Sequence, residues 1–254
     1  PHCEIKTPIS SIRNDRRMNG ETIYGLNEWG KEKFIEDEND VYQERLYAIR
    51  YVDKKGDRYY TAPTKQDIAR EKKVINLLKE RFENWQKNGY LPSAEIKEGY
   101  NTDQLIRERG WKYWHQLFNP RQLLLHGLFF KKAIGEAETI RETVITILGI
   151  NSMTDWNSKL SIWNPGNQNI QATYTNQALN TLFNYGARAI KKLSTNWFVD
   201  INNFSINTNS KVKLLDARNA KENNDIWITD PPYADAVNYH ELSEFFLAWD
   251  KDLL

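Results

Sequence analysis

The sequence predicts a fold of the α/β class, with part of an open, doubly wound sheet, a mostly helical insertion and a small β-hairpin. Residues 226–228 are apolar and partly β-branched, and they end at an acid and two prolines, which is typical of a buried strand. Residues 211–215 predict a second strand about ten residues earlier. Several other stretches place apolar residues at helical spacing, and these predict the helical part.

The hairpin and the first long helix follow one another. Residues 46–51 and 58–61 flank a turn that contains glycine, and they predict the two strands of the hairpin. Thr64 then predicts an N-cap, with Asp67 in the first turn, where a carboxylate favours the helix dipole. The helix is predicted to end at Asn88-Gly89. Its buried face is predicted to carry Ile68, Ile75, Leu78, Phe82 and Trp85. Its basic residues are expected on the solvated face, with DNA contact as the alternative.

A capping-box pattern marks the next helix start. Asn119 predicts the N-cap, Pro120 suits the first helical position and Gln122 lies at the third. Arg121 at this helix start is a candidate for holding a phosphate. His115 is a second candidate, but a core or capping role is the favoured interpretation.

The remaining segments complete the predicted order of elements. Gly149 is expected to close the helix that follows the capping-box helix. Residues 91–110 and 151–173 are rich in loop-forming residues and are expected to be irregular. Helices are predicted over residues 119–135, 136–148, 175–193 and 239–249.

Composition limits the possible classes of function. The 254 residues include 35 basic and 34 acidic side chains, so a phosphate-binding face must come from local clustering. The single cysteine, Cys3, excludes an internal disulfide and indicates a reducing, cytoplasmic compartment. No run approaches the roughly 20 apolar residues of a membrane span. Cys3 could end a zinc knuckle, but nothing in the chain completes four ligands, so no metal site is predicted. Because both ends look cut, we expect a piece of a longer protein.

Asp230-Pro231-Pro232-Tyr233, directly after the predicted strand, is the candidate catalytic segment. Prolines cannot continue a sheet ladder, so the chain should leave the sheet here in a rigid turn. The Asp230 carboxylate and the Pro231 carbonyl could each accept one N–H from an exocyclic amino group, which favours a pyramidal, nucleophilic nitrogen. Tyr233 could stack on a flipped base. The alternative is a structural turn with a buried tyrosine.

This segment resembles the catalytic motif of amino-methyltransferases that use S-adenosylmethionine. The chain is similar to a family of large prokaryotic adenine-specific DNA methylases that carry an extra N-terminal domain of unknown function. The resemblance implies a partial Rossmann-like methyltransferase sheet. It covers most of the chain from about Tyr42 onward, and it also rests on residues 60–88, 99–102, 114–122, 163–165, 176–186 and 234–249.

The resemblance also divides the chain and places the cofactor. It implies that residues 1–110 are an inserted mixed region with a role in DNA recognition, and that residues 111–254 belong to the methyltransferase domain. Asp216 matches the acid that lies beside the cofactor adenine in such enzymes, although capping of the following turn explains it equally well. No Gly-x-Gly occurs, so the main cofactor loop is missing. We therefore expect this polypeptide alone to bind S-adenosylmethionine weakly or not at all.

The leading hypothesis is methylation of a base amino group of DNA, at adenine N6, by the intact protein. We expect DNA as the partner, no membrane, and partner subunits if the protein works in a host-defence or modification system. One alternative is an inactive methyltransferase relative that binds nucleic acid or a protein. Another keeps the chemistry but acts on RNA or on a protein amide, because the motif recognises only a planar amino group.

Overall fold

The computed structural model of the chain describes residues 5–176, 178–184, 186–197, 213–221, 223, 226–231 and 237–250. These residues combine helices with short antiparallel strands, and each strand pairs only with its neighbour in sequence to form four two-stranded sheets. The helices are α1 (Ile9–Ile12), α2 (Lys65–Lys79), α3 (Phe82–Lys87), α4 (Thr102–Arg109), α5 (Pro120–Glu136), α6 (Ile140–Asp155), α7 (Ile190–Trp197) and α8 (Tyr239–Asp250). The strands are β1 (Arg16–Met18), β2 (Glu21–Ile23), β3 (Ile49–Val52), β4 (Arg58–Thr61), β5 (Trp163–Asn164), β6 (Asn169–Ile170), β7 (Tyr174–Thr175) and β8 (Ala178–Leu179).

Two hairpins occupy the N-terminal third of the chain. The β3–β4 hairpin is confirmed, with Ile49 opposite Thr61 and Val52 opposite Arg58. The β1–β2 hairpin was not predicted, although its turn contains an Asn-Gly pair with φ of 53° at Asn19 and 88° at Gly20. Two successive left-handed residues suit the right-handed twist of a hairpin, so this dipeptide is the local sequence signal for the turn.

The predicted helix starts at Thr64 and Asn119 are confirmed. The Thr64 side chain accepts from the Asp67 backbone N–H at 3.2 Å, and the Asp67 carboxylate accepts from the Thr64 N–H at 2.9 Å. Asn119 and Gln122 make the same reciprocal pair. The single helix predicted from Thr64 to Asn88 is interrupted after Lys79. It forms two helices, α2 and α3.

The expected end of α6 at Gly149 is wrong, because the helix begins at Ile140 and runs to Asp155. A Cβ placed on Gly149 would lie 3.0 Å from the Trp197 ring of α7. This glycine therefore allows a neighbouring helix to approach closely and does not terminate its own. Spacing along the sequence cannot distinguish these two roles.

The helix predicted over residues 175–193 is also wrong. Residues Tyr174–Thr175 and Ala178–Leu179 pair as a small hairpin, and Asn176 between them has a φ of 52°. Helix begins only at Ile190. Leu179 and Leu193 are buried, but they reach the interior from a strand and from a later helix, and the apolar residues Leu182 and Ile190 of the predicted helix are exposed. Residues 91–110, expected to be irregular, contain α4.

The core is one hydrophobic cluster in which about half of the buried side chains are aromatic and the rest are leucine or isoleucine. Phe118 packs edge-on against Trp249 with ring centroids 5.2 Å apart, and Trp114 packs edge-on against Phe245 at 5.9 Å. The helix predicted over residues 239–249 is therefore confirmed, and its apolar residues Phe245 and Trp249 belong to this core. Residues on both sides of the predicted division at residue 110 belong to this cluster. The division itself stays a prediction.

The two predicted strands that would form the open sheet are not formed among the described residues. Residues 213–215 and 226–228 have no strand partner in the described ranges. Ile226 and Ile228 are 78% and 92% exposed. A strand of a doubly wound sheet is buried by neighbouring strands and by helices on both faces, and the described part of the chain supplies neither to these residues. The mixed helix and strand content is confirmed, whereas the sheet is not.

Candidate functional site

The candidate catalytic segment is open to solvent where the structure describes it. The side chains of Asp230 and Pro231 are both exposed, and Pro232 and Tyr233 lie outside the described residues. An exposed carboxylate followed by a proline carbonyl is accessible to a large substrate such as a nucleic acid. The structure brings no other predicted site residue into contact with Asp230 among the described ranges.

Helix α8, which follows the segment after a few residues, is fixed to the N-terminus of α4 by Glu241. The Glu241 Oε1 atom accepts from the Asn101 backbone N–H at 2.8 Å, and Oε2 accepts from the Asn101 side-chain amide at 2.7 Å. A Cβ on Gly99 would lie 2.5 Å from Glu241 Oε1, so glycine is needed for this approach. The carboxylate also suits the positive end of the α4 dipole. The contact joins residues about 140 positions apart.

Two further contacts and the core hold α8 in place. Lys97 Nζ lies 2.8 Å from Glu244 Oε1, and the Asn151 amide donates to Asp250 Oδ2 at 2.9 Å. Burial raises the pKa of the Asp250 carboxyl, and the bond from Asn151 opposes this shift. Phe245 and Trp249 are buried, so α8, the helix that follows the candidate segment, is firmly packed.

Asp216, the candidate cofactor residue, caps a short 3₁₀ turn over Ala217–Asn219. Its Oδ1 atom accepts from the Arg218 backbone N–H at 2.9 Å, and its Oδ2 lies 2.6 Å from Arg218 Nη2. The hydrogen bond from the Arg218 guanidinium lowers the pKa of this carboxyl. The turn-capping alternative thus describes the observed local structure. A cofactor role for Asp216 stays a prediction.

The two phosphate candidates are both engaged within the protein. Arg121 pairs with the Glu71 carboxylate, with Nε 3.0 Å from Oε1. His115 is fully buried, and its Nε2 donates to the Lys33 carbonyl at 3.1 Å. Desolvation lowers the pKa of His115 to about 4, so the ring is neutral at physiological pH. The core interpretation of His115 is confirmed.

A cavity of about 140 Å³, which the sequence did not predict, lies between the N-terminal segment and the 109–111 region. A buried water needs about 10–15 Å³ on this measure, so the cavity has room for on the order of ten waters. Aromatic walls with a few polar groups suit a small planar group. The rings and cations that line it are Trp29, Tyr42, Trp111, Phe183, Arg109 and Lys159.

Lys159 is the most unusual residue of this cavity. Its side chain is only 2% exposed, and its Nζ lies 2.7 Å from Glu44 Oε1. The same ammonium lies 4.9 Å from the centre of the Trp111 ring and 5.4 Å from that of Trp29. An ion pair and two cation–π contacts therefore compensate its burial. The contributing residues are far apart in sequence, so no local pattern could have revealed the site.

Among the described residues, no group of three or more His, Cys, Asp or Glu side chains could hold a metal ion. None of the described helices has the length and apolar character needed to cross a bilayer. No family model, curated protein or solved structure matches this chain.

Proposed function

We propose that the chain is part of an S-adenosylmethionine-dependent methyltransferase that acts on a base amino group of DNA, with adenine N6 as the target. The proposal rests on one observation: an Asp-Pro pair that is exposed to solvent, preceded by an apolar run and followed by a firmly anchored helix. We further propose a cytoplasmic protein, as its single cysteine indicates.

The chemistry assigned to the segment requires acceptors held in fixed positions. The Asp230 carboxylate and the Pro231 carbonyl accept the two N–H bonds of the amino group, which localises the nitrogen lone pair. Pro232 restricts the backbone between them and Tyr233, and Tyr233 stacks on the base. As the bond from nitrogen to the methyl carbon forms, the bond from that carbon to the cofactor's sulfonium sulfur would break, so the sulfur would leave as a neutral thioether and the positive charge would pass to the nitrogen. The hydrogen bond to Asp230 would stabilise this charge until one proton leaves the nitrogen for solvent.

The cofactor would supply an electrophilic methyl group. The sequence holds no Gly-x-Gly turn of the kind that holds this cofactor, and the Asp216 carboxylate pairs with Arg218. Asp216 therefore stays the one predicted contact between this chain and the cofactor. We still expect this polypeptide alone to bind S-adenosylmethionine weakly or not at all. Micromolar binding in calorimetry would contradict this expectation.

The finer fold is part of the same proposal. We infer that residues 211–215 and 226–228 are strands of a partial Rossmann-like sheet whose other strands lie outside the described residues. The sequence pattern supports this inference, because an apolar, partly β-branched run that ends at two prolines is typical of a buried strand.

The test is methyl transfer to DNA by the full-length protein carrying Asp230→Ala. Incorporation of labelled methyl groups should fall by about 100-fold or more, since a fixed transition-state acceptor is lost. DNA affinity should stay near that of the unchanged protein. Glu21→Ala, which removes an exposed carboxylate from β2, is the matched control and should leave both measurements unchanged. Activity retained within a few fold in Asp230→Ala would remove this carboxylate from the reaction.

A binding module without catalysis is the second candidate, and the missing Gly-x-Gly cofactor loop in this sequence favours it. Salt-dependent DNA binding without any turnover in the full-length protein would support it over the enzyme. RNA or a protein amide in place of DNA keeps the same chemistry, and a methyl-transfer assay with each substrate class distinguishes them.

A further inference from the structure

The β3–β4 hairpin lies outside the hydrophobic core of the described residues. No residue between 46 and 63 belongs to the hydrophobic core or packs against it. All four positions of β4 are exposed, and an isolated two-stranded hairpin is at best marginally stable in water. Its side-chain contacts to the body include a bond from Arg58 Nη1 to the Asn167 carbonyl at 3.0 Å and one from Tyr60 Oη to Gln168 Oε1 at 3.2 Å.

The pairing register separates the two faces of this hairpin. Arg58 and Tyr60 alternate to the same face, which is the face that contacts the body. Tyr51 and Tyr59 lie directly opposite each other on the other face. Their rings are nearly parallel, with centroids 5.7 Å apart and an angle of 21° between planes. They remain 39% and 49% exposed, so two aromatic surfaces face solvent side by side.

The turn of the hairpin carries free cations beside these rings. Lys54 and Lys55 are exposed, and neither pairs with a carboxylate among the described residues. The carboxylate of Asp53 instead accepts from the backbone N–H groups of Lys55 and Asp57, at 2.8 and 2.9 Å. Residues 49–61 contain four basic and two acidic side chains, a net charge of +2, whereas the whole chain carries only +1. Positive charge is therefore concentrated on the β3–β4 hairpin.

We propose that this hairpin binds a single nucleic-acid strand. Tyr51 and Tyr59 form the stacking platform for bases, and Lys54 and Lys55 hold the phosphates. Exposed rings beside unpaired cations are the combination that recognises unpaired nucleotides, since every base has a stacking face and every linkage a negative charge. The inference rests on the proposed function only in taking nucleic acid as the partner, and it requires no methyl transfer.

The first arm of the test changes the rings. Tyr51→Val with Tyr59→Val keeps strand-forming residues and removes both stacking surfaces. Fluorescence anisotropy with a labelled oligothymidine should show affinity about tenfold weaker or more at fixed salt, with an unchanged salt slope. Tyr100→Val, at another highly exposed tyrosine, is the control and should bind as the unchanged protein does.

The second arm changes the charges. Lys54→Gln with Lys55→Gln should weaken binding and reduce the slope of log affinity against log salt by about 1.4, or about 0.7 for each lost phosphate contact. Lys72→Gln with Lys73→Gln on the exposed face of α2 is the matched control and should leave the slope unchanged. A reduced slope in the α2 variant alone would place binding on that helix and overturn the proposal.

Other outcomes also decide the matter. Normal binding by the double valine variant, tighter binding of duplex than of single strand, or equal competition by polyglutamate would each contradict the proposal. The Asp230→Ala variant separates it from the enzymatic proposal, because that change should abolish methyl transfer and leave oligothymidine binding intact. Binding without any methyl transfer would therefore refute the enzyme and keep the hairpin site.

Discussion

Lowering the pH from about 7.5 to about 5 should destabilise the protein through two histidines buried in its core. His126 is fully buried, and its Nε2 donates to the Asn157 carbonyl at 3.2 Å. Its Nδ1 is buried with no hydrogen-bond partner among the described residues, and its ring packs edge-on against Phe118 and Trp249. His115 is equally buried. Desolvation lowers the pKa of both rings from 6.5 to about 4.

The sign of the effect follows from these pKa values. Because the folded-state pKa is lower than the unfolded value, the unfolded chain takes up protons first as the pH falls. The stabilisation is complete above 6.5, the unfolded value, and is lost progressively toward 4, the folded value. At about pH 5 each histidine should have lost about 2 kcal/mol of folding free energy, or about 4 kcal/mol together.

That loss is large beside the total of about 5–15 kcal/mol expected for a folded domain. Two carboxyls oppose it. Burial raises the pKa of Asp155 and of Asp250, so the folded protein takes up these protons more readily than the unfolded chain. Their contribution grows toward lower pH and offsets part of the histidine effect. The net change between the two pH values should still be a marked destabilisation.

Urea unfolding at the two pH values measures the change in the free energy of unfolding. The unchanged protein is compared with a variant that carries His115→Gln and His126→Gln. The variant starts less stable, but its stability should depend far less on pH in this range. An equal loss in both proteins would refute the reasoning. Histidine ring resonances in the unchanged protein give a second measurement. Titration of the His115 or His126 ring near pH 6.5, the unfolded value, would contradict the assigned burial effect.

Two further predictions concern packing and the buried ion pair. Gly127→Ala should destabilise the protein by about 1–3 kcal/mol in urea unfolding, because its Cβ would lie 2.5 Å from the Trp85 ring. Gly135→Ala in the same helix has open space around it and should stabilise by up to about 1 kcal/mol. Glu44→Gln should cost about 2 kcal/mol by leaving Lys159 buried without its carboxylate, and adding Lys159→Met should restore most of that loss. A Glu44→Gln and Lys159→Met double variant as unstable as Glu44→Gln alone would contradict the prediction for the ion pair.

The features predicted correctly from the sequence are those whose causes are local. The capping boxes at Thr64 and Asn119 each depend on residues three positions apart, so the sequence contains the whole interaction. The β3–β4 hairpin depends on two short strands and the glycine-containing turn between them. The apolar stripe of α8 needed only helical periodicity. In these cases tertiary packing agrees with the local preference.

The features that were missed or wrong depend on residues distant in sequence. Gly149 looks like a helix end until Trp197 is known to lie against it. The residues around Leu179 have helical spacing but pair as a hairpin. The cavity joins Trp29 and Lys159 across 130 positions, and neither residue indicates the other in the sequence. Local patterns predict elements, whereas these features arise only when the elements are brought together.

The two sides of the candidate catalytic segment differ in how they are fixed, and this difference bears on its chemistry. Downstream, α8 is anchored by Glu241 and by the burial of Trp249. Upstream, Ile226 and Ile228 are exposed and unpaired among the described residues. A carboxylate that must meet an amino group at hydrogen-bond distance needs constraint from both sides. We propose that pairing of the upstream run within the inferred sheet supplies the second constraint, so the proposed catalysis by Asp230 depends on strands that the described residues do not supply.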